Sequence, residues 1–326
     1  MDSNQNISRL IWADLLRIIA IFAVICQHYC PAYYGSHLLA TNIGVTICDW
    51  CIPVFVMLSG MFSLSPNKQF PLQKRLLRLV VALCFWSIAY GINYFVIQNH
   101  GSYTISSIIQ PIFWKRLPWY HLWFVYMFLG LYLLTPVIRS WIAHASQKNI
   151  LYFLLLCFAF NCITWINQFL PSPLHHLLPV LSAFVGYYVL GYYLSTLTIT
   201  KQHRIIIYIA SIAACAGIVI SNQLFKLTAH TLIVNESPLT AIMSIGVFVA
   251  FKHKHFNNKW SNFSRISLLV FGIYLVHDFF IQYLHIGLFS DIILLNIFIN
   301  ALSTLLISAI IIFLIRKIPF VGKLIT

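Results

Sequence analysis

The chain has 326 residues, 60% of them apolar and only 8% charged, with a formal net charge of +14. A water-soluble domain normally carries about 25% charged residues, so a fold of this composition facing water would aggregate. Long apolar runs rather than short alternating ones exclude an outer-membrane barrel, and basic residues confined to short loops between those runs exclude a nucleic-acid-binding face.

The composition describes an all-α, polytopic membrane bundle of about ten transmembrane helices, forming a single membrane domain over residues 1–326. Each crossing needs about 20 mostly apolar residues, and a helix satisfies its own backbone groups in lipid. The spans fall at 10–31, 43–64, 77–98, 119–138, 150–170, 177–197, 205–224, 236–252, 266–287 and 291–315. Of the 20 Lys and Arg, only Lys115, Arg116 and Lys226 fall on one side of this arrangement, and Arg17 lies within the first span. Cytoplasmic loops retain positive charge, so the opposite side, with both termini, is expected to be cytoplasmic. The polar start from Met1 to Arg9 leads into a span too long for a signal-peptide core, which is expected to remain as an anchor.

The first span carries Asp14, Arg17 and His28. An ionisable group within a span costs roughly 2.5–3.5 kcal/mol on insertion scales, so each is presumed paired or functional. At about 100° per residue, Arg17 lies about 60° from Asp14 and His28 about 40°, so all three share one narrow face that must look into the bundle. Asp14 and Arg17 are spaced to form an ion pair, whereas His28 stands about 16 Å beyond Arg17. Two readings stay open: a packing pair with a hydrogen-bonded interfacial histidine, or a histidine that takes a proton from a hydroxyl as it attacks a carbonyl.

The second span holds Cys48-x-x-Cys51, with Cys30 nearby, which allows either a disulfide or buried packing thiols; no second ligand pair supports zinc. Cys26, Cys84, Cys157, Cys162 and Cys215 lie within apolar runs, where a thiol behaves as a small hydrophobe. Asp49 is a candidate orienter of His28. The segment Pro53 to Gly60 ends in Ser59 and Gly60, small residues that imply close helix packing. Arg75-Leu76-Leu77-Arg78 opens the third span after Lys74. Basic flanks set topology, but two guanidinium groups on adjacent turns also make a fork for phosphates.

The connection from Gln98 to Pro118 carries Gly101, Pro111 and Trp114 and suits a short piece lying along the membrane interface. Trp119-Tyr120-His121-Leu122-Trp123-Phe124 follows where an aromatic belt is expected. Gly272-Ile273-Tyr274-Leu275-Val276-His277 puts a histidine in mid-span, where belt anchoring does not explain it. No internal repeat is evident, which weakens an inverted-repeat transporter.

Taken in order, these segments resemble the acyltransferase 3 family of bacterial membrane acyltransferases: Asp14-Leu15-Leu16-Arg17 with His28, Pro53 to Gly60, Arg75-x-x-Arg78, His121-Leu122-Trp123-Phe124 with Pro136 beyond it, and Gly272 to His277. The short layout and the Tyr120 to Phe124 run look most like the WecH-type surface-polysaccharide O-acetyltransferases. The resemblance implies an enzyme of the bacterial cytoplasmic (inner) membrane that passes an acetyl group from cytoplasmic acetyl-CoA to a hydroxyl of a lipid-linked or surface glycan. It implies catalytic roles for His28, Asp14 and Arg17, donor binding by Arg75 and Arg78, and a substrate tunnel lined by Ser59, Gly60, His121, Trp123, Tyr274 and His277. Expected partners are membrane lipid, the acetyl-CoA donor and a glycan acceptor handled by the bundle itself; no metal and no nucleic acid is implied. Met61 departs from the family pattern, where an aromatic residue usually follows Ser-Gly. The competing reading from another class is a transporter or flippase for a sugar-lipid or a small acid, which would also need a polar intramembrane face. A third, a structural subunit of a polysaccharide-export complex, leaves His28 and the arginine pair unexplained.

Overall fold

The computed structural model describes residues 10–33, 37–67, 69–94, 119–167, 183–224, 237–283, 290–319 and 321–326, and among these there is no strand. The helices are α1 (Ile11–Tyr29), α2 (Leu38–Cys48), α3 (Cys51–Ser63), α4 (Leu72–Ile92), α5 (Trp123–His144), α6 (Gln147–Asn167), α7 (Ala183–Thr196), α8 (Lys201–Leu224), α9 (Pro238–His253), α10 (Val270–Tyr283) and α11 (Ile293–Ile315). Eight helical segments among the described residues are long and apolar enough to cross a membrane. The shorter α7 and α9 occupy two further segments of the expected pattern. The all-α polytopic bundle is therefore the observed architecture. The connection 98–118 and the charges Arg9, Lys68, Lys115, Arg116 and Lys226 lie outside the described residues.

The second span departs from expectation, because it is two helices broken at Asp49 and Trp50. Pro53 supplies the reason: it has no N–H to give the carbonyl of Asp49, and its ring crowds that carbonyl. The third span also starts earlier than expected, at Leu72 after Pro71, so Lys74 and Arg75 join Arg78 in its first turns. Pro136 lies inside α5 without ending it. In a bundle, neighbouring groups satisfy the carbonyl that a proline leaves open.

Helix α1 is the centre of the bundle and touches α2, α3, α9, α10 and α11. Its neighbour α11 turns Asn296, Asn300, Thr304 and Ser308 inward at every fourth position, and Tyr29 and Thr304 share a hydroxyl hydrogen bond of 2.7 Å. Small polar residues so spaced join helices where burial of apolar surface offers no driving force. The outer helices α6 and α8 instead expose Leu151, Leu155, Ile205, Ile206, Ile209 and Ile212, the surface of a protein solvated by acyl chains. All eight cysteines are free thiols, which settles the Cys48-x-x-Cys51 alternatives in favour of packing.

The tightest approach joins α3 to α7. A Cβ placed on Gly60 would lie 1.8 Å from the carbonyl oxygen of Tyr188, and one on Gly191 would lie 1.8 Å from that of Met57. The two backbones meet there without side chains between them.

Basic residues close several helix ends. Lys252 Nζ donates to the carbonyls of Leu194, Ser195 and Leu197 at 2.6, 3.1 and 2.7 Å, capping the last turn of α7. Arg139 donates to the carbonyls of Ser63, the last residue of α3, and Pro66 just beyond it, at 2.7 and 3.2 Å. The last carbonyls of a helix have no partner of their own, and a cation there also faces the negative end of its dipole. Lys252→Met should keep the apolar stem and lower stability by roughly 1.5–3 kcal/mol, the worth of charge-assisted hydrogen bonds. Thermal unfolding in detergent reads this, and an unchanged midpoint would refute the capping role.

Candidate active site

The polar face of α1 looks inward. Asp14 is 6% exposed, and its Oδ1 accepts from Arg17 Nη1 at 3.0 Å and from Ser267 Oγ at 2.8 Å. The Arg17 guanidinium lies 4.6 Å from the centroid of Phe62. The ion pair expected from the spacing is thus formed and is held from a second helical segment.

Arg17 also borders a cavity of about 590 Å³ that collects Arg75, Arg78 and Arg316, so four guanidinium groups share its lining with the Asp14 carboxylate. Leu10, Ser63, Arg75 and Arg316 all sit at or beside helix ends, which places the mouth at one end of the bundle. Arg75 Nη1 donates to Ser63 Oγ at 2.7 Å, and its guanidinium stands 4.6 and 5.6 Å from the ring centroids of Phe70 and Tyr132. Arg78 donates to a backbone oxygen of Thr326 and lies 5.2 Å from the Phe271 ring, and Arg316 donates to the carbonyl of Leu268. Aromatic faces attract a guanidinium and steer its direction without neutralising it. The result is a cationic pocket with an apolar wall that includes Phe55, Phe124 and Phe128, suited to a polyanionic head joined to a less polar arm.

Ser59 and Tyr274 also line the cavity. Tyr274 donates its hydroxyl to the carbonyl of His121, and its ring lies 5.5 Å from His277, 6.0 Å from His121 and 4.6 Å from Phe124. The same residue therefore touches the arginine cavity and a cluster of three histidines.

In that cluster the ring centroids of His28 and His277 are 5.0 Å apart, and those of His121 and His277 are 5.3 Å apart. His28 Nδ1 and the Tyr120 hydroxyl are 2.6 Å apart. His277 Nδ1–H donates to the carbonyl of Tyr274 at 2.6 Å. His121, 1% exposed, has Nδ1 3.6 Å from Asp278 Oδ2, and the same oxygen accepts from Gln282 Nε2 at 3.0 Å. The Tyr90 ring packs edge-on at 5.1 Å from His121, and its hydroxyl donates to the carbonyl of Leu275 at 2.9 Å. Imidazoles inside an apolar bundle, two of them buried and one backed by a carboxylate, are equipment for moving a proton. Among the described residues no His, Cys, Asp and Glu group is arranged to hold a metal ion.

The sequence-expected residues thus divide into three sets. Asp14, Arg17, Ser59, Arg75, Arg78 and Tyr274 line the cavity. His28, His121 and His277 form the cluster beyond it. Gly60 and Trp123, expected along the tunnel, are placed elsewhere: Gly60 is consumed by the backbone contact with α7, and the Trp123 ring packs 5.5 Å from Phe184 and 6.0 Å from Phe124. Asp49 accepts from Gln27 Nε2 at 2.7 Å rather than serving His28, whose Nδ1 meets Tyr120 instead. Sequence reasoning missed Tyr120, Asp278 and Arg316. Asp278 carries the same signal as Asp14, an acid inside an apolar span, whereas Tyr120 reads as part of an aromatic belt and Arg316 as a basic flank of the last span.

The acyltransferase 3 family model, described as an acyltransferase domain, matches residues 10–316. No curated protein and no solved structure matches the chain.

Proposed function

The chain belongs to the acyltransferase 3 family of membrane acyltransferases, and from that membership we propose that it is an O-acetyltransferase of the bacterial inner membrane, using acetyl-CoA as donor and a glycan hydroxyl as acceptor. The proposal includes a cytoplasmic mouth for the arginine cavity, cytoplasmic termini, and an acceptor of the surface-polysaccharide or lipid-linked class. The observation that carries it is the continuity of one polar column: four arginines around a cavity that ends on Tyr274, with His28, His121 and His277 packed behind.

In this reading Arg75, Arg78 and Arg316 take the phosphates of the coenzyme, and its thioester arm runs along the aromatic wall past Arg17. The acceptor hydroxyl oxygen attacks the thioester carbonyl carbon while His28 takes the hydroxyl proton, and the carbon–sulfur bond then breaks. The departing thiolate receives that proton from the imidazolium. For Nε2 to take the proton, Nδ1–H of His28 donates to the Tyr120 hydroxyl oxygen, 2.6 Å away. Asp14 keeps Arg17 in place rather than meeting the reacting atoms.

Arg75→Ala should weaken acetyl-CoA binding by roughly 10- to 100-fold, since a hydrogen bond to a charged group contributes about 1.5–3 kcal/mol. Titration of the purified protein in nanodiscs checks this, and equal affinity in wild type and variant would refute the donor site. Labelled acetyl-CoA incubated with candidate glycans tests the activity itself. Accumulation of substrate in vesicles without acetyl-CoA consumption would replace the enzyme with a carrier.

A further inference from the structure

The chemistry above uses one imidazole and leaves His277 without a role. His277 is 0% exposed, and its Nδ1 lies 2.6 Å from the carbonyl oxygen of Tyr274. A carbonyl only accepts, so the proton sits on Nδ1, and in the neutral ring Nε2 carries a lone pair. That lone pair has no hydrogen-bond donor among the described residues. Its ring lies among those of His28, His121 and Tyr274, at centroid distances of 5.0, 5.3 and 5.5 Å. Leaving a buried acceptor unsatisfied costs about 1–3 kcal/mol, and leucine would fill such a place without that penalty. A ligand that brings its own O–H removes the penalty.

A single attacking hydroxyl has one proton, and His28 takes it. A second hydroxyl on the same molecule would supply the donor to His277. Neighbouring imidazoles 5.0 Å apart between centroids match neighbouring hydroxyls on one carbon chain or ring. We infer that His277 Nε2 accepts a hydrogen bond from a hydroxyl adjacent to the one that is acylated, so that the site selects diols and polyols over simple alcohols. This rests on the acetyl-transfer reading and names the feature of the acceptor that reading leaves open. His277 acts as a specificity residue, and His28 remains the base.

The test compares 1,2-hexanediol with 1-hexanol, matched in chain length, as acetyl acceptors for the full chain in nanodiscs supplied with labelled acetyl-CoA. Wild type should acetylate the diol roughly tenfold faster, the worth of one hydrogen bond that is otherwise left unmade. In His277→Leu the ratio of the two rates should fall to about one, and in His277→Gln, whose amide oxygen restores an acceptor, most of the preference should return. A second readout does not depend on turnover: with ¹⁵N-labelled histidine, the unprotonated nitrogen of His277, assigned by its loss in His277→Gln, should move upfield when 1,2-hexanediol is added without acetyl-CoA. An unchanged diol preference in His277→Leu, or a resonance that does not respond to the diol, overturns the inference while leaving acetyl transfer intact. A resonance that responds in a protein that acetylates neither alcohol overturns the acetyl-transfer reading and keeps the diol site.

Discussion

His28→Ala is expected to reduce acetyl transfer by roughly 10²–10⁴-fold, the contribution of a positioned general base, without changing acetyl-CoA affinity by more than about twofold. The separation follows from placement. Arg17, Arg75, Arg78 and Arg316 line the cavity, whereas His28 lies beyond Tyr274 against His277 and Tyr120. Removing the imidazole takes nothing from the cavity wall, and alanine, a strong helix former, keeps the last turn of α1. Tyr120→Phe should be milder, because it releases Nδ1 but leaves the ring. Measured side by side, turnover and coenzyme titration must part company in His28→Ala. If both fall together, or if turnover survives, the assignment of the base is wrong.

The second large effect is structural. Gly191→Ala should destabilise the bundle by about 3 kcal/mol or more, at the upper end of overpacking penalties, because the new Cβ would lie 1.8 Å from a backbone oxygen that no rotamer change can move. Helix α3 would have to retreat from α7, and α3 presents Phe55 and Ser59 to the cavity. Loss of monodisperse protein on size-exclusion chromatography, or a lowered unfolding midpoint, reads the effect directly. Gly130→Ala on α5 is the matched control: a Cβ there meets nothing within 4 Å, and replacing a helical glycine should raise stability by about 0.5–1 kcal/mol. Similar behaviour of the two variants would show that helix propensity, not the α3–α7 contact, governs these positions.

Much of this was legible in the sequence because lipid makes charge expensive. Asp14, Arg17 and His28 stood out against an apolar run, and helical periodicity put them on one face; the structure turns that face inward and joins it to Arg75 and Arg78. The break at Asp49 and Trp50 was less visible, since hydropathy reads through a proline that removes only one hydrogen bond. The tunnel residues were legible only as a motif. Ser59 and Gly60 are adjacent, yet a rotation of about 100° between neighbours sends one to the cavity and the other to α7. Arg316 and Tyr120 had ordinary explanations at the ends of spans, and only the convergence of separate helices gives them another use. Asp278 was within reach of the same cost argument that found Asp14.

The layer formed by Tyr274 and Phe124, with ring centroids 4.6 Å apart, bears on the membrane as a whole. A file of arginines, acids and imidazoles from one face of a bilayer toward the other is a ready conduit for protons, and hydrated end to end it would short-circuit the ion gradient that the membrane maintains. Two aromatic rings packed where the arginine cavity meets the histidine cluster set apolar surface across that file. On the proposed reading, an acyl group would pass this apolar layer to meet its acceptor while bulk water would not.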